Sequence, residues 1–145
     1  MKHIIKTNLW KGVFMALIFG TLSFSANAQT ATVHNDLGFD IDLEVFGVSS
    51  SCTSTSQSHT ATQGVSVVTL PSGVDYWVGA SVIGTSCNSS TTVQDYSDSP
   101  CSGTNTTTST FTAYQGPPCY YAVDKTIVIE IVVAGTDCEI TIYEQ

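Results

Sequence analysis

The chain has no arginine, and only one lysine, Lys125, follows its first 28 residues. Phosphate and carboxylate groups are usually held by guanidinium or ammonium donors. A substrate or cofactor recognised through anionic groups is therefore not expected, and no cofactor is assigned. Nucleic acid is excluded on the same ground, because binding rests on basic side chains that displace counterions from phosphates. Electrostatic attachment to anionic lipid is excluded as well.

Other absences narrow the field. Beyond residue 28 no apolar run approaches the ~20 residues of a spanning helix, and the longest, 126–134, is interrupted by Glu130. There is no C-x-x-C pair, so neither a zinc ribbon nor a thioredoxin-like redox site is indicated. His34 and His59 stand in neither H-E-x-x-H nor H-x-H spacing. Ser81 lies in Gly79-Ala-Ser-Val-Ile, which is not the G-x-S-x-G elbow of a serine hydrolase. No capped helical pattern and no repeat of 20–50 residues is visible.

What is present begins with residues 1–28. Lys2, Lys6 and Lys11 precede an apolar run at 13–19, and Ala26-Asn27-Ala28 closes the segment with small residues at the outer positions. This is the build of a secretory signal peptide, bacterial in style. Residue 29 is Gln, not Cys, so a lipid-anchored N-terminus is not expected. The expected mature chain, 29–145, is one domain of 117 residues with one cation against twelve carboxylates, a formal charge of −11. Its expected location is extracellular or periplasmic, with no membrane span. Ser and Thr make up 16 and 19 of its residues, a composition suited to exposed strand faces and tight turns.

Five cysteines, Cys52, Cys87, Cys101, Cys119 and Cys138, fall in the mature chain. In an exported protein they are expected as disulfides. Cys138 shares a strand face with Ile140 and Ile142, so it is expected as the buried free thiol. The remaining four lie in Ser-, Gly- and Pro-rich loops. The expected pairs are Cys52 with Cys87 and Cys101 with Cys119, with Cys101–Cys138 as the rival to the second.

The apolar pattern is that of strands. In residues 39–46, Phe39, Ile41, Leu43 and Val45 alternate with Asp40, Asp42 and Glu44, the period-2 signature of a half-buried strand. Ile127, Ile129, Ile131 and Val133 alternate in the same way around Glu130, and Cys138, Ile140 and Ile142 follow. A short edge strand is expected at 30–34 and a weak strand at 55–62. Residues 64–70 and 74–83 are expected to form a hairpin across Pro71-Ser-Gly73. Weaker strands are expected at 91–96 and 106–114. Seven to nine short strands indicate an all-β fold: a single antiparallel β-sandwich, immunoglobulin-like or jelly-roll-like.

Three groups are candidates for chemistry or contact. Asp36, Asp40, Asp42 and Glu44 form the densest acidic set, a weak candidate for a calcium-type cation. A strand spreads alternate side chains ~6.5–7 Å apart, whereas calcium wants six to eight converging oxygens. Tyr76, Tyr96, Tyr114, Tyr120 and Tyr121 are candidates for stacking on sugar rings or on a protein partner. Asn88-Ser-Ser and Asn105-Thr-Thr match the glycosylation sequon and are expected in exposed loops. The expected function is that of a secreted, non-enzymatic binding protein meeting glycan, matrix or protein surfaces. The alternatives are a structural subunit that self-associates by strand addition, and a small hydrolase or cation-binding protein.

Overall fold

The computed structural model describes residues 30–70, 73–115, 119 and 123–145. The expected signal segment, the expected turn at Pro71-Ser72, and Tyr120 and Tyr121 lie outside them. All regular structure among the described residues is β, in nine strands: β1 (Thr30–Asn35), β2 (Ile41–Val48), β3 (Ser54–Ala61), β4 (Gly64–Thr69), β5 (Tyr76–Val82), β6 (Thr91–Gln94), β7 (Thr108–Ala113), β8 (Lys125–Ala134) and β9 (Asp137–Glu144). They form two packed sheets, ordered β4-β1-β9-β8-β7 and β3-β2-β5-β6. No helix among the described residues is long and apolar enough to cross a membrane.

Alternation dictates the core. Ile41, Leu43 and Val45 of β2 turn inward while Asp42 and Glu44 turn out. From the facing sheet come Val33, Ile127, Ile129, Ile131, Cys138, Ile140 and Ile142, all buried. Each such aliphatic side chain contributes about 1.5–3 kcal/mol on burial. Trp77 of β5 joins this core fully enclosed, and its Nε1 has no hydrogen-bond partner. That orphan donor costs about 1–3 kcal/mol. Removing ~200 Å² of indole from water contributes about 5 kcal/mol, so burial wins.

Two sequence expectations about strand placement fail. The first strand is not an edge. β1 lies inside the five-stranded sheet, antiparallel to β4 and parallel to β9, the one parallel pair among the described strands. Residues 64–70 and 74–83 do not form a hairpin, because β4 pairs with β1 and β5 pairs with β2 in the other sheet. Leu70 and Val74 explain the crossing. Both are buried in the core, and both pack where a Cβ on Gly47 would meet their methyl groups within 2.7 Å.

The disulfides are Cys52–Cys101 and Cys87–Cys119, which corrects both expected pairs. The cause is strand parity. β3 is a full strand paired along all of β2, so β5 returns antiparallel to β2. Cys52 after β2 and Cys87 after β5 therefore sit at opposite ends of the sandwich. One disulfide closes each end, spanning 49 and 32 residues. In the loop-entropy model each stabilises the fold by about 4 kcal/mol. Cys138 is free and buried. Burial, with Asp95 and Glu139 nearby, pushes its thiol up to about 12.

Non-reducing peptide mapping is expected to return Cys52 linked to Cys101 and Cys87 linked to Cys119. One thiol, Cys138, should resist iodoacetamide at pH ~8, where a raised pKa leaves little thiolate, and react after denaturation. A Cys52–Cys87 peptide would contradict the strand order.

Candidate functional site

The two outer faces differ in chemistry, because each strand exposes one of its two alternating sets. On the four-stranded sheet, β2 presents Asp42 and Glu44 and β3 presents Ser56, Ser58 and Thr60. The carboxylates are already engaged. Ser56 Oγ donates to Glu44 Oε1 at 2.6 Å, Thr60 Oγ1 donates to Asp42 Oδ1 at 2.8 Å, and the Gln63 N–H donates to Asp40 Oδ1 at 3.3 Å. Asp36 is separate, after β1, with its N–H on Ile142 O. No group of three or more His, Cys, Asp or Glu side chains among the described residues is placed to hold a metal ion. Asp42 and Glu44 thus lie on a hydroxyl-bonded strand face, with Asp40 at its start and Asp36 apart from them.

Among the described residues, Tyr76, Tyr96 and Tyr114 do not assemble into a platform. Tyr76 and Tyr96 are partly buried against Phe46, Val48, Val78 and Cys101, a second small core outside the four-stranded sheet. The loop at 95–105 forms its lid, held down by Cys52–Cys101. Two glycines make the close packing feasible: a Cβ on Gly79 would lie 2.3 Å from the Phe46 ring, and one on Gly103 would lie 2.3 Å from the Tyr96 ring. Tyr114 is exposed at the opposite end, where its N–H bonds Cys87 O. Tyr120 and Tyr121 lie outside the described residues. Asn88 is not exposed as expected. It is buried, donating to Ile83 O and Ser89 O and accepting from Thr85 Oγ1.

The outer face of the five-stranded sheet is the other surface. Register places Val67, Thr32, Glu139 and Val132 in one row across β4, β1, β9 and β8. The next row is Val65, His34, Thr141, Glu130 and Thr108. Val65, Val67 and Val132 are 64%, 59% and 61% exposed. Thr110 and Thr112 extend the β-branched surface along β7. The few charges pair among themselves. His34 Nε2 lies 3.0 Å from Glu139 Oε1. Tyr143 donates its phenol to Glu130 Oε1 at 2.7 Å, which raises the Tyr143 pKa by favouring the protonated phenol. A shallow groove of about 270 Å³ runs here, bounded by Thr32, His34, Val132, Asp137 and Glu139. Sequence reading singled out none of these as a surface. The available signal was an apolar residue on both faces of one strand, as in Val67-Val68 and Val132-Val133, which forces one valine outward.

The second histidine has a different role. His59 turns inward from β3, and its Nε2 lies 2.8 Å from Ser66 Oγ of β4, stitching the two sheets along that side. On the far side Thr91 and Ser109 hydroxyls meet at 2.6 Å between β6 and β7. No protein-family model, no curated protein and no solved structure matches this chain.

Burial lowers the His59 pKa. The unfolded chain therefore takes up a proton on His59 before the folded protein does. The stability this group contributes is complete above the ordinary histidine value and is lost as pH falls toward the lowered one. Thermal unfolding at stepped pH should show His59→Gln with a shallower loss of Tm from pH ~7 to ~5 than the parent. Parallel curves for the two proteins would contradict this placement of His59.

Proposed function

We propose that the protein is an exported, non-catalytic binding module that meets a glycan or protein surface through the outer face of its five-stranded sheet. The observation that carries this reading is the contrast between the faces. One is acidic and hydroxyl-bonded. The other carries three valines about 60% exposed around internally paired charges. Clustered exposed apolar side chains rimmed by polar groups mark interaction surfaces. Methyl and hydroxyl groups of Val and Thr offer a flat contact that is cheap to desolvate, and the His34–Glu139 pair supplies a central polar feature. The export part of the reading is supported by the signal-like segment and by two disulfides, which fit an oxidising extracellular or periplasmic setting.

Mature protein should be retained by at least one member of a panel of insoluble polysaccharides, glycan arrays and surface-protein extracts. Val132→Lys, in the middle of the face, should weaken that retention about tenfold or more, the scale of a lost interface anchor. Ser58→Lys, on the acidic face, should leave it unchanged. Equal retention of the two variants, with far-UV circular dichroism intact in both, would overturn the assignment of the face.

A further inference from the structure

We infer that β4 is a pairing edge for a second copy of this chain, joining two five-stranded sheets into one ten-stranded sheet about a two-fold axis at Ser66. The inference rests on the edges of the sheets and is independent of what the outer face binds.

Four strands end the two sheets: β4, β7, β3 and β6. Three of them are closed or blunted. β6 and β7 are tied to each other by the Gln94–Thr106 bridge and by the Ser89 N–H on Thr112 O. They are tied again by the Thr91–Ser109 hydroxyl contact. On β3 the Gln57 amide already occupies Ser58 O at 3.1 Å, and the strand lies beside the carboxylates of Asp42 and Glu44. Among the described residues β4 lacks such backbone bridges, and the His59–Ser66 contact that ties it to β3 involves side chains alone. Its one strand neighbour is β1. Its sequence, Gly-Val-Ser-Val-Val-Thr, contains no charge and no proline. Natural edges are normally guarded by lysine, proline, bulges or a covering segment, so an unguarded β-branched edge is a template for another strand.

The second copy is the occupant the strand itself specifies. In antiparallel pairing centred on Ser66, Val65 of each copy stands opposite Val67 of the other, and Ser66 opposes Ser66. The two Val65–Val67 pairs then set β-branched against β-branched, the favourable cross-strand combination, with Thr69 opposite Gln63, and the contact is isologous and closes at two. Charge favours the same direction. Asp40, which receives the Gln63 N–H beside the Gly64 end of β4, falls at opposite corners of an antiparallel pair, whereas parallel pairing would bring the two carboxylates together. A short edge-to-edge contact is small by the standard of stable interfaces, and both bodies are acidic. The dimer should therefore be weak, reversible and strengthened by salt that screens the repulsion.

Sedimentation equilibrium of the mature protein tests this. The weight-average mass should rise from one chain toward two as concentration approaches ~100 μM, a range that populates small interfaces, and should rise further in 0.5 M salt. Val67→Lys should hold the protein at one chain throughout, and Val132→Lys, three strand spacings away, should dimerise like the parent. Ser66→Cys should give a covalent dimer under mild oxidation, and Ser58→Cys should not. A parent that stays monomeric at every concentration, or a dimer that survives Val67→Lys, would overturn the inference. So would a dimer lost only in Val132→Lys, which would place the contact on the sheet face. A monomeric parent that still binds through Val132 would leave the proposed function standing.

Discussion

The contact on which this architecture depends is the parallel pairing of the first strand with the last. β1 lies between β4 and β9, with Val33 beside Ile140 and Asn35 beside Ile142. Without it β4 has no partner and the five-stranded sheet loses two strands. A buried asparagine fixes the position. Asn35 Nδ2 donates to Phe39 O and Ala61 O at 2.9 and 2.8 Å, and its Oδ1 accepts the Leu37 N–H at 3.0 Å. One side chain therefore ties the end of β1 to the turn that leads into β2 and to the end of β3. Leaving such buried groups unpaired costs about 1–3 kcal/mol each, comparable with removing a core methyl cluster.

The surface chemistry follows from that placement. β1 brings Thr32 and His34 to the middle of a face instead of its margin. There the His34–Glu139 pair crosses to β9 and the valines of β4 and β8 stand on either side. An exposed ion pair of this kind adds little stability. Its effect is to give Glu139 a partner on a surface where Glu130 is likewise bonded, by the Tyr143 phenol. On the four-stranded sheet the acids of β2 are instead bonded by hydroxyls from β3.

Strand identity was legible wherever alternation was strict. Residues 41–45, 127–133 and 138–142 fold with their apolar and polar sets on the faces that period 2 assigns. The all-β sandwich and the buried environment of Cys138 follow from those segments. Pairing was not legible, because it is decided by non-local contacts. β1 has only Ala31 and Val33 to bury, and so it reads as an edge, yet its neighbours come from residues 64–69 and 137–144. β3 lacks alternation because its inward positions, Thr55, Gln57, His59 and Ala61, include one apolar residue, and its outward ones are all hydroxyl. Without β3 as a full strand the direction of β5 is reversed and Cys87 falls at the Cys52 end of the sandwich. Tyr76 and Tyr96 looked like contact residues because nothing local shows that a disulfide-held loop covers them. The valine face was half visible in Val67-Val68 and Val132-Val133, but only the register brings those pairs onto one surface.

Native-state hydrogen exchange of the β1 amides tests the dependence on the first strand most directly. A strand held between two partners and pinned by Asn35 should open only when the whole domain unfolds. The amides of residues 31–35 should then exchange as slowly as those of β8 and β9 and share their dependence on denaturant. Exchange of β1 on the faster timescale of β3, through local opening while β8 and β9 stay protected, would contradict the account.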